Sequence, residues 1–192
     1  EAYLQSPLTF DRTTVSTLLD ESVIGLAGKE TAIGDSIGLA IRTLDDAGVK
    51  EGRRVLILLT DGANTAGAVE PLKAAQLAAQ RKVVIYTIGS GADALTLRSI
   101  FRLLQTNRSA DLDEETLTAI AQMTGGRYFR ARDTEEFAQI YMILDQLEPA
   151  EVGPQRRRHA DRTVRLLVVL QHRHQRAADG EARTVERVHQ FV

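Results

Sequence analysis

A chain of 192 residues is long enough for one domain with a full core and too short for two ordinary ones. At 43% hydrophobic and 26% charged the composition is that of an average soluble protein. With 5% aromatics and no tryptophan, its core must be built from Leu, Ile, Val and Ala, and the absence of cysteine excludes a disulfide framework, a thiolate metal site and a cysteine nucleophile.

Residues 1–8 look like the end of a strand, closed by Pro7. Asp11 can cap a short helix reaching about Leu19, with Val15, Leu18 and Leu19 on one face. A loop at 25–29 follows. Behind Thr31, the residues Ile33, Ile37, Ala40, Ile41 and Leu44 recur at helical period and predict a helix that Gly48 ends. Residues 55–60 form a continuous apolar run of strand length, as in a parallel sheet buried on both faces. An Ala-rich helix at 70–80 and a second buried strand at 83–88 come next. Helices are predicted at 94–104 and at 113–123, the latter with acids in its first turn, where the helix dipole favours them. Gly125 and Gly126 predict a turn, 127–130 a short strand and 134–147 a closing helix. This alternation predicts an α/β, Rossmann-like fold: a parallel sheet flanked by helices.

The chain changes character near Pro149. The net charge of −2 conceals −6 over residues 1–149 and +4 over 150–192, and all four histidines (His159, His172, His174, His189) lie in the second part. Its basic residues are all arginine, and residues 166–170 are its only apolar cluster. Two readings stay open for 150–192: a disordered Arg/His-rich extension, or an out-of-frame translation of GC-rich DNA. Nucleic-acid binding through Arg156 to Arg176 would be steeply salt-dependent and is not expected. No apolar run reaches the roughly 18 residues of a membrane span, and no signal peptide is expected. Glu1 in place of Met marks either a processed chain or a piece of a longer one.

Ligands of open parallel sheets bind at the carboxyl ends of the strands, where Asp61, Gly89 and the loop before the Thr31 helix fall. Asp61 follows an apolar strand directly. It suits either an Asx turn or an oxygen site for a hard cation such as Mg²⁺. The stretch Gly89 to Ala94 matches G-x-G-x-x-A after a strand, which suggests a nucleotide-binding enzyme domain as the alternative. The ribose-binding acid that should end a second strand about 20 residues on is replaced by Asp111 and Asp113 at a helix start. With no cysteine, and no histidine before residue 159, the body holds no histidine base, and Ser36 has no nearby base. No residue reads as a nucleophile.

Four stretches occur in order: ETAIGDSIGLAIRTL, RRVLILLTDGANTAG, KVVIYTIGSGAD and LTAIAQMTGGRYFRARDTEEFAQIYMILDQLEP. Over residues 1–149 they resemble the von Willebrand factor type A domain, and more narrowly the bacterial membrane-anchored Bat proteins of aerotolerance operons. The resemblance implies a metal-ion-dependent adhesion site built from an Asp-x-Ser-x-Ser, the Thr of T-A-I-G-D and the Asp of T-D-G. The matching residues are Thr31 and Asp61; Asp-x-Ser-x-Ser is absent from this chain, so two of five ligand positions remain. On the family pattern the chain looks like a domain lacking its first strand, first helix and most of the next strand, with weak binding of Mg²⁺ (or Mn²⁺ or Ca²⁺). Gly62, Asn64 and Ser90 are the positions expected near a bound partner. The implied function is metal-dependent protein–protein interaction without catalysis, with a partner offering a carboxylate. Sibling Bat proteins and a MoxR-type AAA ATPase are the implied associates. The implied setting is a bacterial inner membrane reached through segments outside this sequence, with the domain on the periplasmic side.

Overall fold

The computed structural model describes residues 2, 4, 6, 8, 9, 11–21, 30–48, 53–90, 112–148 and the strand 164–170. In chain order the elements are α1 (Arg12–Asp20), α2 (Ile33–Asp46), β1 (Arg54–Thr60), α3 (Pro71–Gln80) and β2 (Val83–Ser90), then α4 (Glu114–Thr124), β3 (Tyr128–Ala131), α5 (Thr134–Leu147) and β4 (Val164–Leu170). The strands form one parallel sheet in the order β3-β2-β1-β4. The α/β fold with a parallel sheet flanked by helices is therefore present.

Strand periodicity divides the core. Along β1, Leu56 and Leu58 face one side of the sheet and Val55, Ile57 and Leu59 the other. The first side is covered by α2, α3 and α4 through Ile33, Ile37, Leu44, Ala75, Ala78, Leu117 and Ile120. The second is covered by α5 through Phe137, Ile140, Tyr141 and Leu144. A strand apolar at every position is what burial on both faces requires. Two threonines inside this core are bonded. Thr87 donates its hydroxyl to the Leu117 carbonyl at 2.9 Å, and Thr124 Oγ1 accepts from the Ile85 amide at 3.0 Å.

The helix ends follow local chemistry. Asp113 accepts from the Thr116 amide at 2.9 Å to start α4, and Gly125, at φ 77°, closes it in the left-handed region. Asp133 accepts from the Glu136 amide at 2.8 Å, while Glu136 reaches back to the Arg132 amide at 2.8 Å, a reciprocal arrangement close to a capping box. Asp11 caps α1 through the Thr14 amide at 3.1 Å. At the amino end of the sheet, Asp45 on α2 pairs with Arg54 at 2.8 Å and Arg81 at 2.5 Å, tying two helices and a strand together.

Several expectations shift. Of residues 1–8, expected to end a strand, the described residues 2, 4, 6 and 8 are in none. β2 runs through Gly89 and Ser90, two residues further than predicted, because these pair with Arg130 and Ala131 of β3. Within the segment expected to be disordered, 164–170 forms β4, paired in register with β1 from Arg54↔Val164 to Thr60↔Leu170. The helix expected at 94–104 lies outside the described residues, as does the rest of 150–192.

Candidate metal centre

β1 delivers Thr60 and Asp61 to the carboxyl edge of the sheet. Thr60 is buried and staples the turn there: its hydroxyl donates to the Gly62 carbonyl at 3.0 Å and accepts from the Gly62 amide at 3.3 Å. Gly62 is itself buried, which assigns it to shaping the turn. Asp61 is half-buried at this corner. Ser90 ends β2 one residue beyond Gly89, which is paired with Thr60, so it belongs to the same edge.

The loop 61–70 then runs against the start of α2. That helix begins behind Ala32, a residue with no side-chain oxygen to cap it. The cap comes from Asn64, whose Oδ1 accepts from the Ile33 amide at 2.8 Å. Thr65 Oγ1 accepts from the Thr31 amide at 2.9 Å, and the Thr31 carbonyl accepts from the amides of Thr65 at 2.9 Å and Ala66 at 3.1 Å. Thr31 is thus brought together with the loop that Asp61 opens, through backbone and side-chain bonds on both sides. Its own hydroxyl is treated differently: Thr31 is 1% exposed and its Oγ1 has no hydrogen-bond partner among the described residues.

An unpartnered buried hydroxyl costs about 1–3 kcal/mol in desolvation, so the Thr31 hydroxyl calls for an explanation, and a bound cation is one group that would engage it. Thr31 Oγ1 and the Asp61 carboxylate are both hard oxygen donors, the set that suits Mg²⁺, Mn²⁺ or Ca²⁺. Among the described residues no group of three or more His, Cys, Asp or Glu is placed to hold a metal. The residues present fit a hard cation and would supply only part of its shell.

Sequence reasoning singled out Thr31, Asp61, Gly62, Asn64 and Ser90 but missed Asp35 and Thr65, which fasten the loop. The missed signal is the alanine at the head of α2, which leaves a cap to be supplied from elsewhere. A loop reading Asn64-Thr65 holds the residue types that supply one. Gly89 also changes meaning. A Cβ there would stand 2.4 Å from Leu112 Cδ2 and 2.9 Å from the Tyr128 hydroxyl, so the glycine makes room inside the sheet. That removes the first turn glycine from the nucleotide fingerprint; residues 91–94 lie outside the described residues.

The model of the von Willebrand factor type A domain matches residues 1–142. The chain belongs to that family. Among solved structures it is similar to BatB from Bacteroides thetaiotaomicron, at 25% identity and TM-score 0.55 over 77% of this chain and 75% of that one. An aerotolerance-related membrane protein from Bacteroides fragilis gives 25% identity and TM-score 0.56, over 75% and 73%. A membrane-spanning protein from Vibrio fischeri is 54% identical with TM-score 0.44, over 78% of this chain and 72% of that one. A Borreliella burgdorferi protein is 28% identical over 142 residues; the match takes in 71% of this chain and 41% of that relative's length. No helix among the described residues is long and apolar enough to cross a membrane.

Proposed function

We propose that this chain is a protein-interaction module of a Bat-type bacterial membrane protein, and that its contact surface is the carboxyl edge of the sheet around Thr31 and Asp61. The observation that carries the reading is the Thr31 hydroxyl, buried without a partner among the described residues, on a residue whose backbone is bonded to the loop behind Asp61. In this reading Thr31 Oγ1 and the Asp61 carboxylate hold a hard divalent cation, Mg²⁺ first. When bound, that ion supplies a directional contact for a carboxylate on a partner protein. Asn64 keeps the helix start ordered, and Ser90 lies beside the contact. The similarity to BatB and to the Bacteroides fragilis membrane protein supports membrane association, and membership of the von Willebrand factor type A family supports an interaction role. Placement on the periplasmic side and association with sibling Bat proteins or a MoxR-type ATPase belong to the same proposal. A non-catalytic role fits a body with no cysteine and no histidine before residue 159.

The test is a Mn²⁺ titration of the full chain, read by electron paramagnetic resonance, with Mg²⁺ in competition. Saturable binding lost in Asp61→Ala and in Thr31→Val supports the proposal. Binding unchanged in both variants, or no binding by the wild type, overturns it.

A further inference from the structure

The loop behind Asp61 is fastened to α2 a second time, beyond Asn64 and Thr65. Asp35, in the first turn of α2, accepts from the Val69 amide through Oδ1 at 2.8 Å and from the Ala68 amide through Oδ2 at 3.2 Å. The approach is close on both sides. A Cβ on Gly67, at φ 111°, would stand 3.1 Å from Cγ and 3.1 and 3.2 Å from the two oxygens of the Asp35 carboxylate. A Cβ on Gly34 would come 1.9 Å from the Val69 carbonyl oxygen. Residues 64–66 are therefore tied to 31–33, and residues 68 and 69 to Asp35, with Gly67 at a positive φ between the two attachments.

We propose that Asp35 is a positioning residue of the site: its carboxylate clasps the far end of the Asp61 loop onto α2 and so fixes Thr31 relative to Asp61 before any cation arrives. This rests on the reading of Thr31 and Asp61 as ligands. Each Asp35 oxygen takes a loop amide, so the carboxylate acts on the loop and is not itself counted as a ligand. The bonds are charge-assisted, and an acid in the first turn of α2 also meets a favourable helix dipole. Groups that orient ligands from outside the coordination shell commonly change metal affinity by about 10- to 100-fold when removed.

The experiment uses the full chain, with Asp35→Ala, Asp35→Asn and Asp61→Ala. Three quantities are measured: exchange of the Ala68 and Val69 amides in metal-free protein, Mn²⁺ affinity, and melting temperature. The expected result is faster exchange at both amides and about tenfold weaker Mn²⁺ binding in Asp35→Ala, with Asp35→Asn in between because it keeps one acceptor oxygen. Asp61→Ala should lose Mn²⁺ while keeping wild-type exchange at Ala68 and Val69. Faster exchange with wild-type Mn²⁺ affinity in the Asp35 variants would overturn the positioning role and leave the metal reading standing. A wild type that does not bind Mn²⁺ removes both. If Asp35→Ala does not fold, Asp35→Asn decides alone: unchanged affinity with a lowered melting temperature makes the residue structural only.

Discussion

Asn64 Oδ1 accepts from the Ile33 amide at 2.8 Å, so the first turn of α2 is capped by a residue 31 positions downstream. A cap of this kind is worth about 1 kcal/mol. Asn64→Ala should lower unfolding free energy by about that amount in urea, whereas Asn64→Asp, which keeps an acceptor beside the helix dipole, should not. Equal losses in both variants would show that the side chain packs rather than caps.

Two glycines on α2 should respond in opposite directions. Gly38 is in the helix interior with open space where a Cβ would go. Gly38→Ala should therefore stabilise by about 0.5–1 kcal/mol, the conformational freedom glycine loses in a helix. Gly34→Ala would drive a methyl group into the Val69 carbonyl and should cost about 1–3 kcal/mol while loosening the loop. Thermal melts of the two variants, run together, give both signs.

Much of this fold was legible because its signals are local. The period of Ile33, Ile37, Ala40, Ile41 and Leu44 marks α2, and unbroken apolar runs mark β1 and β2, since a strand covered on both faces has no polar side to alternate. The α4 and α5 caps, Asp113 and Asp133, lie next to the helices they start, so sequence alone places those starts within a residue. What sequence could not show is chemistry that only tertiary contact creates. Gly89 matches the start of the dinucleotide fingerprint G-x-G-x-x-A, but its local reason is the pair Leu112 and Tyr128 pressed against it. Asp35 reads as one more surface acid on a helix until the loop from Gly67 to Val69 is laid over it.

On the opposite face of the sheet, Glu148 is 2% exposed, accepts from the Tyr86 hydroxyl at 2.7 Å and pairs with Arg53 at 2.6 Å. Glu148→Ala leaves the Tyr86 hydroxyl buried without its acceptor and should cost about 1–3 kcal/mol. Glu148→Gln keeps an acceptor and loses an ion pair to a half-exposed arginine, so it should cost about 1 kcal/mol or less. A double-mutant cycle with Tyr86→Phe in urea measures the coupling; additive losses would mean the bond contributes nothing.

The same hydroxyl sets an alkaline limit. Burial, then the Glu148 carboxylate, raises the Tyr86 pKa above 10.0, and burial followed by Glu114 raises that of Tyr128. Both groups stay neutral in the folded protein where the unfolded chain ionises. Their contribution is therefore complete below pH 10 and is lost as pH rises from there through the folded values. Unfolding free energy should fall above pH 10, with a shallower fall in Tyr86→Phe. Absorbance at tyrosinate wavelengths should show Tyr86 and Tyr128 titrating above the ordinary tyrosine range.

Thr31→Val separates stability from function most sharply. Valine matches threonine in shape and lacks the hydroxyl that stands buried without a partner among the described residues. In metal-free protein its removal relieves an unsatisfied polar group, so the variant should be as stable as the wild type or more stable by about 1 kcal/mol. With Mn²⁺ or Mg²⁺ the order should reverse, because a ligand that binds only the folded state raises its melting temperature, and the valine chain has lost a donor. Melting both proteins with and without cation gives four numbers, and the prediction concerns their crossing. A Thr31→Val chain destabilised by about 1 kcal/mol or more without metal would show that the hydroxyl has a partner inside the protein. The observation on which the metal reading stands would then be gone.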